Sequence, residues 1–169
     1  MNLIDKCECG LSYVAGHTED EEFHRIVHDE YLNGPVLSVL TTGENVAEID
    51  EFAVVRVSDG SPEEVRSAAA LLARVVHRST STYKMGYDGS ITGDALIVYA
   101  LLYGDRAIGF ALIGKTSRSW CLHWIGQGKA ELISNEANQA ERRVIGRVWI
   151  ARNYQRKGLA RRLGTKIGD

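Results

Sequence analysis

Two cysteines and two histidines near the N-terminus have the residue types and spacing of a metal site. Cys7 and Cys9 are separated by one residue, and His24 and His28 are separated by three. Thiolates and imidazoles are the ligands of tetrahedral zinc in proteins, and residues four positions apart lie on one side of a helix. These four side chains therefore predict a zinc site. His17 is an alternative ligand, although it precedes the expected helix.

A basic, glycine-containing loop near the C-terminus has the composition of a phosphate-binding site. Gln155-x-x-Gly158-x-Ala160 follows a strand-like segment and opens a helix-like one. A helix N-terminus offers unpaired backbone N–H groups and a partial positive charge, which favour an anion such as pyrophosphate. Gly158 and the small Ala160 let the phosphates approach the backbone. The cations expected to contact the phosphate oxygens are Arg156, Lys157 and Arg161.

The N-terminal residues should form a small finger that positions the metal ligands. Residues 7–13 predict a tight hairpin or knuckle. A helix should then begin with Thr18 as its N-cap and Glu21 completing a capping box. Asn33-Gly34-Pro35 should end it. The residues expected on the packed face of this helix are Phe23, Val27 and Tyr31, the first two closing a small core beside the histidines.

The rest of the sequence predicts a mixed α+β domain. A hairpin of two apolar runs, joined by Gly104-Asp105, precedes the strand, loop and helix that contain the basic motif. A second helix should be capped by Ser61, with Pro62 in its first turn and Glu64 completing a capping box. Residues 126–141 are expected to form a loop or short helix. The expected strands are residues 36–40, 52–57, 95–103, 106–114, 120–125 and 143–150, and the expected helices are residues 62–78 and 158–166.

Composition restricts the classes of protein that the chain could belong to. Its 169 residues are 44% hydrophobic and 25% charged, with a formal net charge of −2, which fits an ordered globular protein and argues against nucleic acid as a partner. No apolar run is long enough to cross a membrane, and the first residues do not form a signal peptide. Three cysteines, two of them too close together for an easy disulfide, indicate a reducing compartment. We therefore predict a cytoplasmic protein that does not bind membranes.

Together, the two motifs and their order resemble the Eco/ESCO family of N-acetyltransferases, which modify the cohesin ring. In that family a zinc finger precedes a GNAT acetyltransferase domain. The Cys-Gly, Glu-Asp and His-x-x-x-His segments of the finger follow one another here at the family's separations. The matching segments are Cys9-Gly10-Leu11-Ser12-Tyr13, Glu19-Asp20, His24-x-x-x-His28, Arg147-Val-Trp-Ile150 and Gln155-Arg-Lys-Gly-Leu-Ala160.

The resemblance implies a fold, a cosubstrate and an activity. The fold would be GNAT-like, with a mainly antiparallel sheet and flanking helices, divided into a C2H2-like zinc finger at residues 1–34 and a GNAT domain at residues 35–169. The activity would be transfer of an acetyl group from acetyl-CoA to an amine, with a protein lysine as the expected acceptor. The residues expected to bind the cosubstrate are Val148, Trp149 and Ile150 on the strand, and Gln155, Arg156, Lys157, Gly158, Leu159, Ala160 and Arg161 on the loop and helix.

Three departures from the family pattern leave alternatives open. The cysteines are spaced Cys7-x-Cys9 rather than Cys-x-x-Cys, Gly146 replaces a serine before the strand motif, and Gly164 replaces a glutamate in the following helix. One alternative is a GNAT enzyme that acetylates a small-molecule amine. The other is a non-catalytic module that binds CoA or a protein partner.

The sequence does not assign a catalytic base. A base must accept a proton from the acceptor ammonium before the amine can attack, and the acidic residues near the expected site strands are Asp94, Glu131 and Glu141. A GNAT site also needs a second strand after the basic helix, and no strand-like segment lies between that helix and Asp169. We therefore expect that the 169 residues are a fragment, or that a second chain completes the sheet.

Overall fold

A five-stranded antiparallel sheet lies at the centre of the fold. The computed structural model describes residues 4–80, 96–116, 119–126, 129–135 and 142–168. The helices are α1 (Thr18–Asn33), α2 (Glu63–Thr80) and α3 (Leu159–Gly168), with short 3-10 helices at Ser38–Thr42 and Arg152–Tyr154. The strands are β1 (Ile4–Lys6), β2 (Ser12–Val14), β3 (Glu44–Ile49), β4 (Phe52–Val57), β5 (Leu96–Tyr103), β6 (Arg106–Thr116), β7 (Ser119–Gly126), β8 (Lys129–Asn135) and β9 (Arg142–Ile150).

The sheet order is β3-β4-β5-β6-β9, so β9 lies at one edge. Residues 97–102 of the central strand β5 are all buried, which requires that both faces of the sheet be covered. Helix α2 packs on β4 and β6, while α3 contacts β9, β6 and β3 and so crosses the sheet. The predicted apolar faces of both helices are buried: Val65, Ala69, Leu72 and Val76 on α2, and Leu159, Leu163 and Ile167 on α3.

The predicted fold class is confirmed: the sheet is antiparallel and helices flank it. The strand predicted at residues 52–57 is β4, and the predicted hairpin is the β5–β6 pair, whose turn contains Gly104. In the described chain, two further antiparallel pairs lie outside this sheet, the finger hairpin β1–β2 and the pair β7–β8. The predicted division between residues 34 and 35 remains a prediction. None of the described helices is long and apolar enough to cross a membrane.

The strand predicted at residues 36–40 is wrong. These residues lead into the 3-10 helix Ser38–Thr42, although Val36 makes one isolated bridge to Arg106. The Thr41 hydroxyl donates a hydrogen bond to the Ser38 carbonyl at 2.7 Å, and such local bonds favour a turn over an extended strand.

Two of the strands that the sequence did not predict, β8 and β3, lack a continuous apolar run. The segment predicted as a loop, residues 126–141, contains β8, which pairs antiparallel with β7. Strand β3 is an edge strand with mostly exposed residues, and its pairing with β4 creates the strand. In both cases the neighbouring strand supplies the stabilisation that the isolated segment does not encode.

The predicted cap of α1 is also wrong. His17, rather than Thr18, occupies the N-cap position, and no side chain caps the helix in the expected way. Glu21 instead accepts a hydrogen bond from the Gly16 N–H at 2.9 Å. Glu21 therefore binds an N–H two residues upstream of the Thr18 N–H that the predicted capping box requires.

The predicted capping box of α2 is replaced by a closed turn. The helix begins at Glu63, and the Ser61 hydroxyl accepts the Ser58 N–H at 3.0 Å instead of capping Glu64. The Ser61 N–H in turn donates to the Ser58 carbonyl at 3.0 Å. Ser61 thus stabilises the turn that leads into the helix.

Gly34 joins α1 to the sheet at a point where no side chain fits. Its φ is +80°, and a Cβ there would lie 2.2 Å from the Ala107 carbonyl oxygen of β6. Arg106 fixes the same junction, since its guanidinium donates to Asp29 at 2.9 Å and to the Gly34 carbonyl at 2.8 Å. The amide of Asn33, followed by Arg106, lowers the pKa of the Asp29 carboxyl against the opposing effect of burial. The junction is therefore fixed by both sterics and charge.

We predict that Gly34→Ala destabilises the protein strongly, because it adds left-handed backbone strain and an overlap with backbone atoms. The expected loss is about 3 kcal/mol in the free energy of unfolding, measured by urea denaturation. Gly60→Ala is the control, because Gly60 has no positive φ and nothing lies within 4 Å of the place that a Cβ would take there. Equal denaturation midpoints for the two variants would contradict this account of the junction.

Candidate metal and cofactor sites

The four predicted metal ligands come together in the finger. The ligand atoms of Cys7, Cys9, His24 and His28 all lie within 4.8 Å of one another. Cys7 Sγ lies 3.1 Å from His28 Nδ1. Zinc–sulfur bonds of about 2.3 Å and zinc–nitrogen bonds of about 2.1 Å would place tetrahedral ligand atoms roughly 3.4–3.8 Å apart. The cluster is therefore close to the spacing that such an ion requires.

The environment of the cluster also fits a metal ion. His24 Nε2 is buried and has no hydrogen-bond partner within the described chain, and a buried nitrogen without a partner is costly unless it binds something. Cys9 is fully buried, and burial raises the pKa of its thiol. A cation between these groups would satisfy the imidazole nitrogen and stabilise the thiolates.

The finger hairpin positions the two cysteines. The Cys7 N–H donates to the Leu11 carbonyl at 3.0 Å, and the Gly10 N–H donates to the Cys7 carbonyl at 3.1 Å. Gly10 has a φ of +89°, and a Cβ there would lie 2.6 Å from the Arg78 carbonyl oxygen at the end of α2. The turn therefore requires glycine and packs directly against the larger part of the fold.

Tyr13, rather than Phe23, closes the core of the finger. The Tyr13 ring stacks on His24 with centroids 4.0 Å apart and an angle of 13° between the planes. Val27 is buried as predicted, but Phe23 is 56% exposed, so the prediction that Phe23 closes this core is wrong. The ring of Tyr13 comes from the adjacent hairpin strand and occupies the position beside the histidine.

The alternative ligand His17 does not join the cluster. It lies at the start of α1, and its Nδ1 is 3.4 Å from an Asp20 carboxylate oxygen. Among the described residues, the grouped ligand atoms come only from the four predicted side chains.

We predict about one zinc ion per chain in freshly purified protein, measured by native mass spectrometry, because the four ligands match a tetrahedral site. Cys9→Ala should lose the ion, since it removes a buried ligand. His17→Ala is the matched control and should keep it. Protein without zinc, or equal zinc in both variants, would contradict the assignment of these ligands.

The second site lies where β9 ends at the edge of the sheet. In the described part of the chain, β9 pairs with β6 alone. The Ala151 N–H donates to the Ile108 carbonyl of β6 at 2.8 Å. Backbone groups of an antiparallel strand point alternately to its two sides, so those of Val148 and Ile150 point away from β6. The backbone of Trp149 instead faces β6, and its side chain is buried.

A register shift alters β9 just before these residues. Leu112 pairs with Arg147 and Ile113 pairs with Ile145, which leaves Gly146 as an extra residue. An extra residue bends the strand and increases its twist. The backbone that carries Val148 is thus turned relative to the first half of β9.

The loop after β9 presents free backbone donors. Arg156 has a φ of +61° and Gly158 a φ of +74°, and no atom of the described residues lies within 4 Å of a Cβ built on Gly158. In the described chain, no acceptor pairs with the N–H groups of residues 156–161, and the first bond of the helix turn runs from the Arg162 N–H to the Gly158 carbonyl at 3.1 Å. This is the open, amide-lined helix N-terminus that an anion requires.

Two contacts tie the base of this loop to the sheet. The Gln155 side-chain amide donates to the outward Ile150 carbonyl at 2.8 Å. Tyr154 packs edge-on against Phe52 with centroids 6.1 Å apart, and Lys157 lies 5.1 Å from the centre of the Tyr154 ring. Gln155 therefore closes the loop, while the residues after it remain exposed.

The predicted cosubstrate residues divide into exposed and buried groups. Arg156, Lys157, Gly158, Ala160 and Arg161 are exposed on the loop and the first turn of α3. The side chain of Leu159 is 3% exposed and belongs to the core, so only its backbone N–H can face a ligand. The assignment of these residues to acetyl-CoA remains a prediction.

The described residues give no information on the side chains of the three candidate catalytic bases. Asp94 and Glu141 lie outside the described residues, and Glu131 is described only as a backbone position on β8. A catalytic residue therefore remains unassigned.

Comparison with known proteins shows that this fold is similar to that of the xEco2 acetyltransferase domain. The xEco2 acetyltransferase domain bound to a lysine–CoA conjugate has a TM-score of 0.58 and 15% identity, covering 73% of each chain. A second structure of the xEco2 acetyltransferase domain has a TM-score of 0.52 and 12% identity, covering 75% of this chain and 74% of the other. No protein-family model matches the sequence.

A named relative agrees with that class. N-acetyltransferase ECO1 of Debaryomyces hansenii is 25% identical over 186 aligned positions, which cover 92% of this chain. The alignment covers 63% of ECO1, so the chain spans less than two thirds of the length of that relative. The resemblance to Eco/ESCO acetyltransferases, predicted from the two motifs, is confirmed.

Proposed function

We propose that this chain is an acetyl-CoA-dependent N-acetyltransferase of the GNAT type whose acceptor is a lysine of a protein. The observation that carries the proposal is the junction of β9 with the loop after it. There the outward backbone groups of Val148 and Ile150 are followed, after one short turn, by the N–H groups of residues 156–161, which have no partner in the described chain.

The loop would hold the pyrophosphate of the cosubstrate. Backbone N–H groups at the start of α3 have no partner in the described chain, and Gly158 leaves the approach open. Three exposed cations surround this point and can contact phosphate oxygens. Those cations are Arg156, Lys157 and Arg161.

The outward edge of β9 would hold the rest of the cosubstrate. Acetyl-CoA supplies an acetyl group already activated as a thioester. The N–H groups of Val148 and Ile150 point to the side where no described strand pairs, so they can bond an extended chain or a carbonyl oxygen. The Ile150 carbonyl already accepts from Gln155, which leaves its N–H for the ligand.

The comparisons support a protein lysine as the acceptor. The relative from Debaryomyces hansenii is named as an N-acetyltransferase, and the similar xEco2 domain was solved with a lysine–CoA conjugate. No observation favours a small-molecule amine or a non-catalytic module over this acceptor. The proton released by the lysine ammonium requires a base, whose identity the described residues do not provide.

The metal would be structural zinc. Its four protein ligands fill a tetrahedral shell, so no position is left for a substrate. The first half of β9 would accept a further strand, because β9 is the last strand of the described sheet and pairs with β6 alone. We propose that a second chain can contribute that strand.

We predict that Gly158→Trp abolishes acetyl-CoA binding, measured by isothermal titration calorimetry. The indole would occupy the space in which we propose that the pyrophosphate of acetyl-CoA lies. The fold should persist, since the site is open and the backbone strain is only about 1–2 kcal/mol. Gly16→Trp is the matched control: its φ is +81°, and it too has no atom within 4 Å. Gly16 lies in the finger turn, so this control should bind acetyl-CoA normally.

Unchanged affinity in Gly158→Trp would contradict the assignment of the loop. Equal loss in both variants would show that strain, rather than the blocked loop, is responsible.

A further inference from the structure

A relay of side-chain hydrogen bonds connects α1, the finger helix, to the proposed cosubstrate loop, which is residues 151–158 between β9 and α3. Asn153, in the 3-10 helix Arg152–Tyr154, donates to the Asn33 Oδ1 of α1 at 2.8 Å. The Asn33 amide in turn donates to Asp29 Oδ1 at 2.7 Å. Asn33 and Asn153 are separated by 120 residues in sequence, so this contact joins two distant parts of the chain.

The far end of the relay is fixed to the sheet. Arg106, at the start of β6, donates to Asp29 Oδ2 at 2.9 Å. The Ala107 N–H donates to the Pro35 carbonyl at 2.9 Å. Arg78 at the end of α2 forms a 2.6 Å ion pair with Glu30. The last turns of α1 are therefore held against the domain, and Asn33 is presented to the loop from a fixed position.

We propose that Asn33 is a positioning residue for the cosubstrate loop, and that α1 thereby couples the metal cluster to acetyl-CoA binding. The inference rests on the proposed function, because it takes the loop to be the acetyl-CoA site. Asn33 acts through Asn153 and does not contact the ligand itself.

The physical basis is preorganisation of an exposed loop. Residues 152, 153 and 155–158 are exposed, and an exposed loop loses conformational freedom when it closes on a ligand. Gln155 and Tyr154 restrain the loop from the sheet, and Asn153 restrains it from α1. Loss of the hydrogen bond between Asn153 and α1 would raise the entropic cost of ordering the loop. Acetyl-CoA would then bind more weakly, although none of its own contacts is removed.

The same helix carries two metal ligands, His24 and His28, with Asn33 only five residues beyond the second. That separation is about 7.5 Å along a helix. A metal bound to His24 and His28 would add a further restraint on α1, the helix whose last turn presents Asn33. Since binding free energies are reciprocal, bound acetyl-CoA should in turn tighten the binding of the metal.

The test is calorimetric titration of variants of the whole chain with acetyl-CoA. Asn33→Ala should bind roughly two- to five-fold more weakly, the effect of one hydrogen bond. Arg25→Ala is the matched control: Arg25 lies on the same helix, and its ion pair with Glu22 is exposed and local. That variant should bind like the unaltered protein.

A double-mutant cycle distinguishes positioning from general destabilisation. If the hydrogen bond transmits the effect, Asn33→Ala with Asn153→Ala should bind no more weakly than either single variant. Additive losses would overturn the proposal, because two independent defects would then be responsible. Equal affinity of Asn33→Ala and the unaltered protein would also overturn it.

The reciprocal measurement is the affinity for zinc, obtained by equilibrium competition with a chelator, with and without saturating acetyl-CoA. Acetyl-CoA should raise the zinc affinity of the unaltered protein and of Arg25→Ala, but less that of Asn33→Ala. A zinc affinity that acetyl-CoA does not change in any of the three proteins overturns the coupling. If the unaltered protein does not bind acetyl-CoA, the proposed function fails and the inference fails with it. Normal binding with no effect of Asn33→Ala removes the inference alone.

Discussion

The open hydrogen-bonding edge of β9 is the constraint on which the site depends. Backbone N–H and carbonyl groups require partners, and strand β9 pairs on one side only in the described chain. Val148 and Ile150 turn their backbone groups to the other side, at the point where the loop after β9 opens the N-terminus of α3. A ligand with an extended, polar chain and a phosphate group satisfies both features at once. The edge would otherwise favour unwanted pairing with another strand.

The finger and the sheet form a continuous packing arrangement in the described residues. Gly10 lies against the end of α2, and Gly34 lies against β6, each where a side chain would overlap a carbonyl oxygen. Ion pairs and hydrogen bonds then connect α1 to the end of α2, the start of β6 and the loop between β9 and α3. A small finger buries too little apolar surface to fold by itself, so a metal and this docking would stabilise it jointly. The finger is thereby placed to influence the loop.

Much of the fold could be predicted because its main elements carry strong local patterns. Helix α3 has apolar residues at every fourth position, and the β5–β6 hairpin consists of two apolar runs around a turn glycine. The edge strand β3 and the strand β8 lack such patterns, since pairing with a neighbour defines them. The caps failed for a related reason: Glu21 and Ser61 had the expected residue types but bind the preceding turns.

The metal ligands could be predicted because their chemistry is restrictive: few arrangements of two thiols and two imidazoles have another use. The surroundings of the metal ligands could not be predicted from the sequence. The stacking of Tyr13 on His24 arises from the hairpin fold, and the bond between Asn33 and Asn153 arises from tertiary structure alone. No periodicity in the sequence marks either asparagine. The division of the predicted loop residues into exposed donors and the buried Leu159 likewise needed the orientation of α3 on the sheet.

Amide hydrogen exchange, measured residue by residue with and without acetyl-CoA, tests the central claim most directly. The account predicts that acetyl-CoA slows exchange at Val148 and Ile150 and at residues 156–161, because these N–H groups gain a partner. Trp149 should change little, since its N–H already faces β6. Binding of acetyl-CoA that leaves exchange at Val148, Ile150 and the loop unchanged would contradict the proposed site.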